Sequence, residues 1–115
     1  MYIEQHSRYQ NKANNIQLRY DDKQFHTTVI KDVLLWIEHN LDQSLLLDDV
    51  ANKAGYTKWY FQRLFKKVTG VTLASYIRAR RLTKAAVELR LTKKTILEIA
   101  LKYQFDSQQS FTRRF

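Results

Sequence analysis

The chain has no cysteine, no proline and only two glycines in 115 residues, and each scarcity removes a class of protein. Without cysteine there are neither disulfides nor Cys-ligated zinc. Gly55 and Gly70 cannot between them build a phosphate-cradling glycine-rich loop. The histidines, His6, His26 and His39, lie far apart and show no metal-ligand spacing, so no metal or other cofactor is expected. No apolar run exceeds about five residues, too few for a secretory core segment or a membrane span. No nucleophile–base pair stands out, so an enzyme is not expected. What is left is a soluble cytoplasmic protein, one small domain or two smaller units, burying roughly two-thirds of its unfolded surface.

The charge is unevenly placed. Residues 1–55 carry six basic and eight acidic side chains, a net −2, whereas residues 56–115 carry fourteen basic and three acidic ones, a net +11. The total of +9 therefore comes wholly from the second half. Solubility is the plain reading of such an excess. Clustered Lys and Arg point more strongly to an acidic polymer, because they gain by releasing counterions from nucleic acid.

Residues 1–27 are polar and rich in Gln and Asn, and read as a flexible N-terminal tail in which Ile16, Leu18 and Tyr20 alternate as a short extended patch would. Beyond it Ile30, Val33, Leu34, Ile37 and Leu41 recur at helical spacing and predict a helix over about 28–40. A short helix fits 47–54, with Asp48 and Asp49 in its first turn, where carboxylates complement the helix dipole. Those carboxylates have no nearby His or Lys for acid–base chemistry, so capping is their role. Leu46 stands where a Ser-type N-cap is usual, a loss of about 1 kcal/mol. Gly55 supplies a left-handed end, Thr57 can cap a next helix over about 58–69, and Gly70 can close that one. Helix, tight glycine turn, helix is helix-turn-helix spacing.

A long helix is expected over about 73–90, with Leu73, Tyr76, Ile77, Leu82, Ala85 and Leu89 on its apolar side and Arg78, Arg80, Arg81 and Lys84 on the other. Alone it would also suit a membrane surface. Thr95 and Glu98 have capping-box spacing for a helix over about 95–103, and Ser107 can cap a last one that runs to the chain end. The expected class is all-α, with two helix-turn-helix subdomains (28–72 and 91–115) joined by a central helix (73–90).

The halves echo each other. Val50-Ala51-x-x-x-Gly55-Tyr56-Thr57 is answered by Ile99-Ala100-x-x-x-Gln104-Phe105-Asp106-Ser107, and Phe61, Arg63 and Phe65 by Phe111, Arg113 and Phe115. A shift of about 50 residues superposes two units, which argues for duplicated structure. Both Phe pairs are spaced i, i+4 and read as core, with base stacking the lesser alternative. Gln104 takes the place of Gly55, where a left-handed non-glycine residue costs on the order of 1 kcal/mol.

Ala51-x-x-x-Gly55-Tyr56-Thr57, Tyr76-Ile77-Arg78-Ala79-Arg80-Arg81-Leu82-x-x-Ala85, Ile99-Ala100 and Phe105-Asp106-Ser107-Gln108-Gln109-Ser110-Phe111-x-Arg113 together carry a resemblance. The sequence resembles the DNA-binding domain of the AraC/XylS family of bacterial transcription regulators over about residues 28–115. Within that family Tyr56-Thr57-Lys58-Trp59 and Asp106-Ser107-Gln108-Gln109 are most similar to the small stand-alone activators of multiple-antibiotic-resistance, superoxide-response and right-origin-binding type. The resemblance implies a cytoplasmic, nucleoid-associated activator that binds double-stranded DNA and touches RNA polymerase.

In such units the second helix enters the major groove. Phe61, Leu64 and Phe65 face inward, which leaves Trp59, Gln62, Arg63 and Lys66 facing out. Arg63 suits guanine bidentately, Gln62 suits adenine, and Trp59 suits a thymine methyl or a sugar. The resemblance implies base contacts by the same trio; the alternatives are a half-buried Trp59 and plain surface for the other two. Gln108, Gln109, Ser110 and Arg113 are the matching base-contact candidates of the second unit. Thr57, Lys58, Lys66, Ser107 and Arg114 are phosphate-contact candidates. A central helix of some 18 residues spans ~27 Å against the ~34 Å between successive major-groove segments, so a monomer could engage two on bent DNA.

The resemblance also implies a last recognition helix that continues past Phe115, then a proline-containing loop and a final helix. The chain stops at Phe115, so its second unit is expected to be short and frayed. The polar start is too small for a ligand-sensing domain, so no small-molecule effector is expected. The rival reading is a helical interaction module that binds RNA polymerase or another protein with little DNA specificity.

Overall fold

The computed structural model describes residues 19–105, with side chains from Asp22 onward. Five helices make up its regular structure: α1 (Arg19–Glu38), α2 (Leu47–Ala54), α3 (Lys58–Thr69), α4 (Leu73–Leu91) and α5 (Ile96–Lys102). No strand occurs among the described residues, and the all-α class holds. The last expected helix, with Ser107, Gln108, Gln109, Ser110, Arg113 and Arg114, lies outside them, as do residues 1–18.

The start of α1 departs most from expectation. Helix begins at Arg19, so Tyr20 and the polar run to Thr27 are helical rather than tail or extended patch. Tertiary partners explain the gain, since polar residues without an apolar period form a stable helix only when something holds them. Phe25 packs against the core, and His26 Nδ1 lies 2.7 Å from the Tyr56 hydroxyl. The other end closes at Glu38, two residues early. There the Asn40 side-chain amide donates to the Trp36 carbonyl at 2.7 Å, occupying a carbonyl that a longer helix would need.

The ends of α2 and α3 follow local chemistry. Leu46 makes no side-chain cap bond, and Asp48 and Asp49 occupy the first turn of α2. Gly55 ends that helix at φ 85°, and Gly70 ends α3 at the same φ. The Thr57 hydroxyl accepts from the Tyr60 N–H at 3.3 Å. Thr72 caps α4 in the same way through the Ser75 N–H at 3.2 Å. Ahead of α5 the capping box is complete: Thr95 Oγ1 accepts from the Glu98 N–H, and Glu98 Oε2 from the Thr95 N–H.

One apolar cluster joins Ile30, Val33 and Ile37 of α1 to Val50 and Ala54 of α2 and to Phe61 and Phe65 of α3. Phe61 and Phe65 are fully buried, each contributing about 1.5–3 kcal/mol by burial, so their core reading holds. Leu73, Ile77 and Ala85 bury one side of α4, and Tyr76 meets the Phe65 ring edge-on at 5.8 Å. The echo between the halves is visible in two hydrogen bonds of the turns. Gly55 N–H donates to Asn52 and Tyr56 N–H to Ala51; 49 positions on, Gln104 N–H donates to Leu101 and Phe105 N–H to Ala100. Gln104 adopts φ 68°, as its alignment with Gly55 requires.

Candidate nucleic-acid interface

Helix α3 buries Phe61, Leu64 and Phe65, so its other side is left to solvent. Trp59 is 67% exposed, which removes the reading of it as half-buried core. Gln62, Arg63 and Lys66 are exposed on the same helix, each within about one turn of the next along two turns from Trp59. Among the described residues, Arg63 and Lys66 make no ion pair or side-chain hydrogen bond. Neither cation is spent on a described neighbour. Trp59 is also braced: Lys58 Nζ sits 5.2 Å over its ring centroid and 3.6 Å from Asp48. Lys58 thus has internal partners, while Thr57 uses its hydroxyl oxygen as a cap and keeps its hydroxyl proton to donate.

Behind this face, α1 is anchored to the turn and to α3 through His26, whose Nε2 lies 3.4 Å from the Tyr60 hydroxyl. Burial holds the His26 pKa below its ordinary value, against the opposing pull of Asp22. Burial, with Tyr60 beside it, pushes the Tyr56 hydroxyl well above the usual tyrosine range. A groove of about 820 Å³ opens between α1 and α3 and is lined by Lys23, Lys31 and Lys67 together with His26, Thr27 and Tyr60. Sequence alone marks none of these lysines as a site residue. Lys67 follows Lys66 directly and signals the groove; Lys23 and Lys31 come within reach of it only through the fold.

The basic side expected on α4 is largely used inside the molecule. Arg80 bonds Glu38 with both Nε and a terminal nitrogen, at 3.0 and 2.9 Å, and Lys84 approaches the same carboxylate at 3.5 Å. The Arg80 hydrogen bonds hold the Glu38 carboxyl below its ordinary pKa. Arg81 donates to the Leu41 carbonyl at 2.9 Å and the Gln43 carbonyl at 2.6 Å. Only Arg78 of the four is exposed. The correction has a simple cause: helical spacing tells which side a cation is on, but not whether an acid or a loop carbonyl from another element meets it.

Glu88 is a second internal hub. Its carboxylate accepts from Lys94 at 3.0 Å, from Lys102 at 3.0 and 3.1 Å, and from the Tyr103 hydroxyl at 2.7 Å. The Tyr103 bond, reinforced by both lysines, takes the Glu88 pKa down to about 2. Burial and the same bond push Tyr103 up to about 12. This hub locks α5 onto α4. The base-contact candidates Gln108, Gln109, Ser110 and Arg113 and the phosphate candidates Ser107 and Arg114 lie outside the described residues. Among the described residues no cluster of acidic or His side chains could hold a metal, and no helix is long and apolar enough to cross a membrane.

The arrangement has known counterparts. Residues 50–115 match the family model for a helix-turn-helix domain. The chain is 98% identical over its full 115 residues to the transposon Tn10 TetD protein of Escherichia coli, covering 83% of that protein. It is 63% identical over 87 residues to the right origin-binding protein of Escherichia coli K12, taking in 76% of this chain and about 30% of that one. Against the HTH-type transcriptional activator AarP of Providencia stuartii it is 51% identical over 104 residues, 89% of this chain and 77% of that one. The fold superposes with a TM-score of 0.70 on an AraC-type transcriptional regulator from Chromobacterium violaceum, at 29% identity over 75% of this chain and 77% of that one. On these grounds the chain belongs to the AraC/XylS family of helix-turn-helix, DNA-binding transcription regulators, a family of regulators rather than enzymes.

Proposed function

We propose that the protein is a sequence-specific activator that binds double-stranded DNA as a monomer, with α3 in one major-groove segment and the segment after Phe105 in the next. The observation that supports this most is the outward side of α3. Trp59, Gln62, Arg63 and Lys66 are exposed there, and the two cations are unpaired among the described residues. Arg63 reads guanine, Gln62 reads adenine, and the braced Trp59 packs on a thymine methyl or a sugar. Thr57 and Lys66 hold phosphates, Lys58 joins them when its exposed 3.6 Å pair with Asp48 opens, and Gln108, Gln109, Ser110, Arg113, Ser107 and Arg114 do the matching work in the second unit. Helix α4, 19 residues and about 28 Å long, sets the distance between the readers. The activator role and contact with RNA polymerase follow the resemblance to stand-alone activators. The protein acts in the bacterial cytoplasm.

Selection from a randomised duplex pool tests the reading. One asymmetric sequence is expected to enrich, with binding that weakens steeply between low and moderate salt. Absence of enrichment would instead support a protein-binding helical module.

A further inference from the structure

Gln104 is the one non-glycine residue with positive φ among the described residues, at 68°. Its turn repeats that of Gly55 in both backbone hydrogen bonds, so glycine would fit it without strain. A left-handed glutamine is disfavoured by its Cβ, and something must hold it there. The holding bond is visible. The Gln104 side-chain amide donates to the Asp42 carbonyl at 3.0 Å, across 62 positions of sequence and from the second unit to the first.

Asp42 lies in the loop between α1 and α2, and its neighbours are taken as well. Arg81 of α4 donates to Leu41 on one side and to Gln43 on the other. Three consecutive carbonyls just past the C-terminus of α1, where the helix dipole is negative, are thus occupied by donors from α4 and from the turn after α5. The loop is a joint. Arg81 registers α4 on it, and Gln104 registers the point at which the chain leaves α5 for the segment that carries Gln108, Gln109 and Arg113.

We propose that Gln104 is a positioning residue for DNA recognition: its tether to Asp42 fixes the direction of the second reading unit relative to α3, and so sets which spacing between the two contacted segments the protein accepts. This rests on the two-segment reading above.

The test uses the full chain with Gln104→Gly, which keeps the turn and relieves the strain, and Gln104→Ala, which keeps the strain without the tether. Because the chain has no cysteine, Lys31→Cys with Leu101→Cys gives two unique, exposed labelling sites, one on each unit. In the free protein, both Gln104 variants are expected to broaden the label-to-label distance distribution. On the enriched duplex, inserting one base pair between the two contacted segments is expected to weaken the unsubstituted chain by about fivefold, and Gln104→Gly by about twofold or less. Affinity for the first segment alone is unchanged. An unchanged distance distribution, or an insertion penalty equal in Gln104→Gly and the unsubstituted chain, overturns the proposal. A separate insertion of about five base pairs, half a helical turn, tests the two-segment reading itself. If the unsubstituted chain tolerates that insertion, two-segment binding fails and the spacing role of Gln104 falls with it, whatever the label distances show.

Discussion

At Gly70 the backbone alone decides what a substitution does. Its φ is +85°, and a Cβ added there meets no atom within 4 Å. Gly70→Ala is therefore expected to cost about 1 kcal/mol through the left-handed backbone, with no steric share, and Gly70→Asn less, as a shift of the urea midpoint at constant slope. Arg63 has the opposite character: it is exposed and, among the described residues, without a side-chain partner, so the packing described above does not depend on it. Arg63→Ala should leave the melting temperature unchanged, weaken binding to the enriched duplex by ~1–3 kcal/mol, and relax preference at one base pair. Equal weakening on all duplexes would reassign Arg63 to a phosphate. The left-handed end at Gly70 and the exposure of Arg63 were both legible in the sequence, because a glycine between two helical periods and an Arg opposite an i, i+4 Phe pair each carry a local signal.

Elements were legible to the extent that their ends are local. The bounds of α2 and α3 agree with expectation because Gly55, Thr57 and Gly70 fix them within a few residues of chain. The early start of α1 was not legible, since His26 is held by Tyr56, 30 positions away. Nor was the use of Glu88, which ties α4 to α5 through partners 6 to 15 positions on. The Glu88 hub sets a pH dependence. Its carboxyl pKa is lowered from 4.5 to about 2 on folding, so the stability it contributes is fully present above 4.5 and is lost as pH falls toward 2. Glu88→Gln is expected to destabilise the neutral protein by about 1–3 kcal/mol and to flatten stability over that acid range. Urea unfolding at several pH values reads the difference. Identical pH profiles for the two chains would mean that Glu88 carries no linked charge. Glu38, whose pKa is lowered chiefly by Arg80, contributes in the same direction and persists in both chains.

For the whole molecule, the formal charge overstates what DNA meets. The second half carries a net +11, yet Arg80 and Lys84 are spent on Glu38, Arg81 on loop carbonyls, and Lys94 and Lys102 on Glu88. Composition located the excess correctly but could not tell bonded cations from free ones, because Glu38 lies 42 positions from Arg80. The two kinds separate in a salt titration. Each phosphate contact removed lowers the slope of log affinity against log salt by about 0.9 on double-stranded DNA, whereas an internally paired cation contributes little to it. Lys66→Gln is accordingly expected to reduce the slope by about 1 with an unchanged melting temperature. Arg80→Gln should leave the slope alone and lower the melting temperature by several degrees, since about 1 kcal/mol is worth ~4–8 °C in a domain of this size. If Arg80→Gln lowered the slope as Lys66→Gln does, the Glu38 pair would have to open on DNA, and α4 would be a phosphate contact as well as a spacer.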